Sequence, residues 1–373
     1  MLSKRTKFIL NVIAIVVLFL LLWWAHVKMD PFSKRILNLM AIYIIWAVSL
    51  NFINGTTGIF SLGHNGFAAV GAYVAALLTL PLYQKGMIFY IEPLIYPLNS
   101  IQIGFFPATL LGGAVAAVFG ILVGAPVLRL KGDYLAIATL GFSQIIFVLA
   151  MNFPSITNGA LGLKGLQPYT NLFWSWGWAV FTVVFIGRLT ASSYGRALKA
   201  IREDEVAAEA MGIRLSTNKI MAFVIGAFFA GIGGSLYAHL LTSIDPKAFS
   251  FFLTFNILIM IVIGGLGSIT GSIIGAVSFA FLSEWLRFVE APMQIGPLKI
   301  PGIPGMRMVI FSVLMLVVML FYRRGIMGRN EFSWDWFYIL YNRLKGKKEN
   351  IPMKRVVEKQ EILKPKEVKS EDE

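Results

Sequence analysis

The sequence predicts an all-α polytopic membrane protein of about ten transmembrane helices, one or more of them interrupted. Three observations carry this expectation. The 373 residues are 57% hydrophobic and only 14% charged, whereas soluble domains are roughly a quarter charged. Apolar runs of the ~20 residues that cross a bilayer as helix recur along the chain. The short alternating strands of a membrane β-barrel are missing. Cysteine is absent, which excludes disulfides, thiolate chemistry and Cys-based metal sites. The three histidines are widely separated, so no metal site is expected. The net charge of +14 sits in short loops between apolar runs, which points to a lipid bilayer and not to nucleic acid.

The first apolar run, 8–25, follows Lys4, Arg5 and Lys7. It resembles a signal peptide, but its flank WWAHVKMD lacks a small-residue cleavage pattern, so a retained span is expected. Runs 36–54 and 65–80 come next, then 104–128, where Gly112, Ala116, Gly120 and Gly124 recur every four residues. Small residues at that spacing let helix backbones approach closely in lipid. Runs 133–153, 172–190 and 219–241 follow, then a stretch, 252–290, too long for one crossing, and finally 306–322. Residues 1–322 are read as the membrane domain. Residues 323–373 are read as a cytoplasmic tail, whose end KQEILKPKEVKSEDE is too poor in apolar residues to be expected to fold.

Lys and Arg in short loops set orientation. The 188–219 segment has six bases, 323–329 has Arg323, Arg324 and Arg329, and 129–133 has Arg129 and Lys131. These are expected to be cytoplasmic. Segments 81–103, 154–171 and 241–252 have one base each and are expected outside. With 219–241 leading out and 306–322 leading back, 252–290 must leave and return externally, turning near Gly264–Ser272. Basic residues Lys28, Lys34 and Arg35 then fall on the external side. An external N-terminus with 55–66 re-entrant is the alternative.

One segment breaks the apolar rhythm. Ser192–Arg214, SSYGRALKAIREDEVAAEAMGIR, has four acids and four bases. Gly195–Met211 reads as one surface helix, with Leu198, Ile201, Ala208 and Met211 near one stripe and Arg202, Glu203, Asp204, Glu205 and Glu209 elsewhere. Gly212 stands where a C-terminal cap would, and Ser216 where the next helix would be capped. Such a helix presents a charged face for mechanical contact with a soluble partner; a merely solvated loop is the plainer reading.

These residues resemble the cytoplasmic loop of ABC importer permeases, in which a Glu-Ala-Ala motif precedes a glycine. Ala207 and Ala208 match the alanines and Gly212 the glycine, while Val206 stands where the motif has glutamate. Four further blocks, Thr57–Leu78, Lys131–Phe147, Asn152–Leu166 and Ile261–Val277, resemble the M-type permeases of branched-chain amino-acid ABC importers, from about residue 36 to 322. The resemblance implies a non-catalytic permease subunit whose coupling helix, about 195–212, docks on an ATPase through Gly195, Arg196, Ile201, Arg202, Glu203, Asp204, Glu205, Ala207, Ala208, Glu209 and Gly212. It further implies a second homologous permease, two ABC ATPase subunits carrying ATP and Mg, an extracytoplasmic binding protein, and a prokaryotic plasma or inner membrane. Importers of urea and short amides share these blocks.

Other signals agree. No GxxxxGK[ST] phosphate loop occurs, so the chain is not expected to bind nucleotide itself. No HExxH, GxSxG or paired intramembrane aspartates indicate an enzyme. The rival is an autonomous carrier or channel; midplane carboxylates of ion-coupled carriers and charged filter rings are both missing. Candidate path residues are Ser61, His64 and Asn65 of SLGHNG, Asn158 in an external loop, and Gly265 and Gly267 of GLGSITG. SLGHNG has two readings: an interrupted helix lining a path, or a surface turn with His64 in water.

Overall fold

Caps, glycines and buried polar side chains set where this chain bends. The computed structural model describes residues 4–130, 132–290, 293–295, 298–300, 305–321, 325–328, 330–332 and 334. Lys131, Arg323, Arg324, Arg329 and the tail beyond residue 334 lie outside the described residues. Residues Ile15–Glu331 form one compact unit, and residues 4–14 belong with Phe332 and Trp334 to a second. In the second, Trp334 Nε1 donates to Asn11 Oδ1 at 2.7 Å.

The helices are α1 (Lys4–Lys28), α2 (Pro31–Asn51), α3 (His64–Thr79), α4 (Leu82–Ile88), α5 (Phe105–Val127), α6 (Asp133–Asn152), α7 (Pro154–Thr157), α8 (Leu172–Ala191), α9 (Ser193–Glu203), α10 (Glu205–Ala210), α11 (Leu215–Leu241), α12 (Phe251–Gly264), α13 (Ile269–Trp285), α14 (Arg287–Glu290) and α15 (Met306–Phe321). Among the described residues, seven helices are long and apolar enough to cross a membrane, up to eight if the bent pair α3 and α4, kinked by 119°, counts as one span. The expected ten is therefore not reached by length and composition; Ile269–Trp285 and Met308–Val317 are apolar but shorter. The long 252–290 run is divided, as its glycines suggest: α12 stops at Gly264 and α13 starts at Ile269.

Helix α2 starts at an aspartate cap, Asp30, which accepts from Ser33 N at 3.1 Å, with Pro31 in the first turn. Its far end widens into a π-type turn over Phe52–Thr56. An extended link then leads to His64, where α3 begins. Helix α11 starts beside α10, where Lys219 meets Glu205, and ends beside the end of α3, where His239 Nε2 meets Thr79 Oγ1 at 2.8 Å. Helix α11 therefore runs from a charged face, holding 192–214, to an opposite face on which α3 also ends. On the opposite face, β1 (Leu163–Lys164) pairs with β2 (Ser243–Ile244), joining two loops. A second short pair, β3 (Met293–Ile295) with β4 (Leu298–Ile300), follows α14.

The centre of the compact unit is backbone against backbone. A Cβ added at Gly71 would overlap the Gly231 backbone, and one at Gly112 would lie 2.7 Å from Gly71 O. One at Gly120 would lie 2.9 Å from Ala227 Cβ. The four-residue repeat on α5 thus seats α5 on α3 and α11, as small-residue packing in lipid requires. Ser235 Oγ reinforces the contact, donating to Gly71 O at 3.0 Å. Gly271 and Gly275 likewise bring α13 onto the Gly264 and Met260 carbonyls of α12.

Candidate functional site

The charged segment is two helices, not one. Helix α9 is capped by Ser192, whose hydroxyl accepts from Gly195 N, and ends at Glu203. Asp204 is extended and caps α10, accepting from Ala207 N at 2.9 Å. An aspartate that competes for backbone N–H groups breaks a helix as readily as it starts one, which explains the departure from the single helix expected. Gly212 does close α10: with φ of +83°, it lets Ile213 N reach Ala208 O at 3.0 Å. Ser216 does not cap α11; Arg214 holds that position, without a side-chain bond.

The pair sits on the bundle through Leu198, Ile201 and Ala208, all buried as expected. Met211 departs from that stripe, being 82% exposed, and Val206 is 76% exposed. Gly195 is buried against the end of α8, where an added Cβ would overlap the Thr190 carbonyl. Tyr194 donates its hydroxyl to Asn218 O at 2.9 Å, and burial pushes that phenol up to about 12, so it remains a donor. Arg196, Glu203, Asp204, Ala207 and Glu209 are exposed.

Two charges expected at the surface turn inward instead. Glu205 binds Lys219 of α11 at 2.6 Å. Arg202, its side chain 18% exposed, donates from Nη1 to Gly55 O at 2.8 Å and from Nη2 to Glu203 Oε1 at 2.6 Å. Both have local reasons: the apolar stripe that docks the helix pair carries its neighbours toward the bundle, where each charge finds a partner.

Beneath Arg202 three chain segments converge. Asn51, at the end of α2, donates to Ser268 O at 2.8 Å and Ser272 Oγ at 2.7 Å, and its Oδ1 accepts from Gly267 N at 2.8 Å. Gly267, at φ +93°, lies in the α12–α13 turn. Gly265 ends α12 with its N–H on Ile261 O at 2.9 Å. After α15 the chain returns to this turn: Ile326 N and Met327 N donate to Ile263 O and Gly264 O, and Glu331 accepts from Ile269 N at 2.7 Å and Thr270 N at 3.1 Å.

The other candidates lie apart from this junction. His64 is buried, not in water, with Nε2 2.9 Å from Ser49 Oγ. Ser61 is held by Asn54, which accepts from Ser61 N at 3.1 Å. Asn65 fastens α3 to the start of α12, donating to Phe249 O at 2.8 Å and exchanging bonds with Thr254. Asn158 is on the opposite face, left-handed, with Nδ2 on Gly162 O at 2.8 Å; it shapes its own loop. Sequence reasoning missed Asn51, which stands between Ser49 and Asn54 near the end of an apolar run.

Two cavities open on the apolar sides. One of about 810 Å³ lies between α5, α8 and α11, walled by Phe106, Trp174, Trp178, Phe181 and Phe229. The other, about 580 Å³, lies between α3, α5 and α6 beside Val70, Leu77 and Phe119. Both walls are almost wholly apolar, so neither offers the partners that a desolvated zwitterion requires.

Residues 33–319 match the family described as branched-chain amino acid transport system / permease component. The chain is 34% identical over 290 residues to the high-affinity branched-chain amino acid transport system permease protein LivM of Salmonella typhimurium strain LT2, covering 68% of this chain and 64% of that protein. It is 27% identical over 321 residues to the probable branched-chain amino acid transport permease protein LivM of Methanocaldococcus jannaschii, covering 79% and 92%. It is 24% identical over 316 residues to the corresponding permease protein LivH of Escherichia coli K12, covering 78% and 92%. The match spans less than two thirds of the Salmonella protein's length. No solved structure matches. With most of its length inside the matched region, this multi-pass membrane protein belongs to the family of branched-chain amino acid transport permease components.

Proposed function

We propose that this chain is the non-catalytic permease subunit of an ABC importer that carries leucine, isoleucine and valine into a prokaryotic cytoplasm. The surface pair α9–α10 is the coupling element, gripped by one of two separate ATPase subunits that hold ATP and Mg. The charged face is cytoplasmic, and α13 and α15 cross the membrane too, giving ten crossings. A second homologous permease completes the substrate path, and an external binding protein delivers the amino acid. The observation that carries this reading is the form of the charged segment. It is anchored to the bundle by Arg202 and Lys219, yet shows water two large apolar side chains, Val206 and Met211. Exposed apolar groups on an otherwise charged element mark a contact for another protein.

Family membership and the names of the relatives support the substrate class, and the LivH relative supports a second homologous permease. The decisive experiment is reconstitution of this chain, with its permease partner and ATPases, in proteoliposomes. ATP-dependent uptake of labelled leucine is expected, with none from the permeases alone. Flux without ATPase would make the protein an autonomous carrier or channel. Uptake competed by urea and not by leucine, isoleucine or valine would overturn the substrate class.

A further inference from the structure

We propose that Arg202 is the positioning residue that carries movement of α9–α10 into the broken end of α2 and the α12–α13 turn. This rests on the reading of α9–α10 as the coupling element. The guanidinium lies in a cradle of three glycines drawn from two distant parts of the chain. It donates to Gly55 O at 2.8 Å. A Cβ added at Gly58 would lie 2.6 Å from Arg202 Cγ, and one at Gly267 would lie 3.2 Å from Nη1. Gly58 thus bounds the aliphatic stem of Arg202, and Gly267 bounds its guanidinium.

The cradle is itself tied together. Asn51 accepts from Gly267 N and donates to Ser268 O, so the end of α2 and the α12–α13 turn form one hydrogen-bonded body. Glu203 takes Nε and Nη2 of the same guanidinium, at 3.2 and 2.6 Å, which fixes its plane. A planar fork that spends one edge on the helix bearing it and another on a carbonyl across a gap transmits displacement in a way that a flexible ammonium does not. Two other polar ties of α9–α10, Lys219–Glu205 and Tyr194–Asn218, end on the first turns of α11. Arg202 instead reaches two places where apolar helices are interrupted, the π-type turn after α2 and the α12–α13 turn.

The test uses the complete transporter in proteoliposomes, comparing Arg202→Gln, Arg202→Lys and Gly58→Ala with wild type. The readouts are complex yield, ATP hydrolysis stimulated by the loaded binding protein, and amino acid taken up per ATP hydrolysed. R202Q is expected to assemble and hydrolyse ATP within about twofold of wild type, with uptake per ATP lowered at least tenfold. R202K, keeping one bond of the fork, is expected to fall between. An unchanged ratio in R202Q, or uptake and hydrolysis falling in parallel, overturns the proposal, because a docking or folding strut would lose both together. Should R202Q not assemble, Gly58→Ala decides: at φ +78° it strains the 57–59 backbone as well as pushing Arg202 aside without removing it, and an unchanged ratio in that variant overturns the proposal equally. Absence of ATP-dependent uptake by wild type would count against the coupling reading itself.

Discussion

Where α3, α5 and α11 meet, backbone lies on backbone; where α9 and α10 meet the same bundle, a few polar side chains span the gap. Gly71, Gly112 and Gly231 leave no room even for a methyl group. Such contacts have one arrangement, because close-packed surfaces do not deform continuously. The surface pair is held by Arg202, Lys219 and Tyr194 over a small buried stripe, and hydrogen bonds of this kind can be exchanged one for another. The difference fits the roles proposed above, with the glycine trio as the frame and the helix pair as the element that moves against it.

The strongest challenge to that division is Gly71→Val. Its Cβ would overlap Gly231, a backbone contact that cannot step aside. Loss of nearly all monodisperse protein in size-exclusion chromatography of detergent extracts is expected. A normal profile would show that α3 and α11 slide, and that the frame is no frame.

The next largest effect concerns the moving side. Val206→Asp with Met211→Asp alters only exposed atoms, so yield and thermal midpoint are expected to stay as in wild type. Capture of the ATPase subunits is expected to weaken about tenfold, or ~1.4 kcal/mol, since a few central apolar side chains carry most interface energy. Undiminished capture would move the docking surface off α10.

Asn51→Leu probes the joint between the two regions. It removes three hydrogen bonds, to Gly267, Ser268 and Ser272. Interhelical bonds in membranes contribute about 0.6 kcal/mol each, so a loss of roughly 2 kcal/mol in detergent unfolding is expected. No loss would mean that the α12–α13 turn is held by its helices alone.

Most of this frame was legible beforehand. The apolar runs place the long helices, the four-residue repeat on α5 is the packing seam, and the glycines of GLGSITG divide 252–290 where the helices part. Gly212 caps its helix as its position implies. What was illegible is tertiary. Arg202 meets a carbonyl 147 residues away and Asn51 a turn 217 residues away, and no periodicity within either helix carries such information. The helix pair itself was misread as one rod because Asp204 reads as one more surface charge until its carboxylate is seen capping Ala207. Legibility follows the same division as mechanics: repeats record the frame, whereas single polar residues record the joint.

The smallest expected effect tests whether the segment after the last helix belongs to frame or joint. Glu331 accepts from Ile269 N, Thr270 N and Thr270 Oγ1, adding to the cap that α13 takes from its own flank. Ser268 already bonds Gly271 N at 3.0 Å, so the helix start keeps one cap without it. Glu331→Ala should therefore cost only about 0.5 kcal/mol, at the low end for a cap near a helix N-terminus, read as a shift of about one degree or two in thermal midpoint. If Glu331 belongs to the frame, uptake per ATP stays at the wild-type ratio despite that shift. A ratio that changes while stability barely moves would place the returning segment in the joint, as a strap that the α12–α13 turn must carry with it whenever Arg202 pulls.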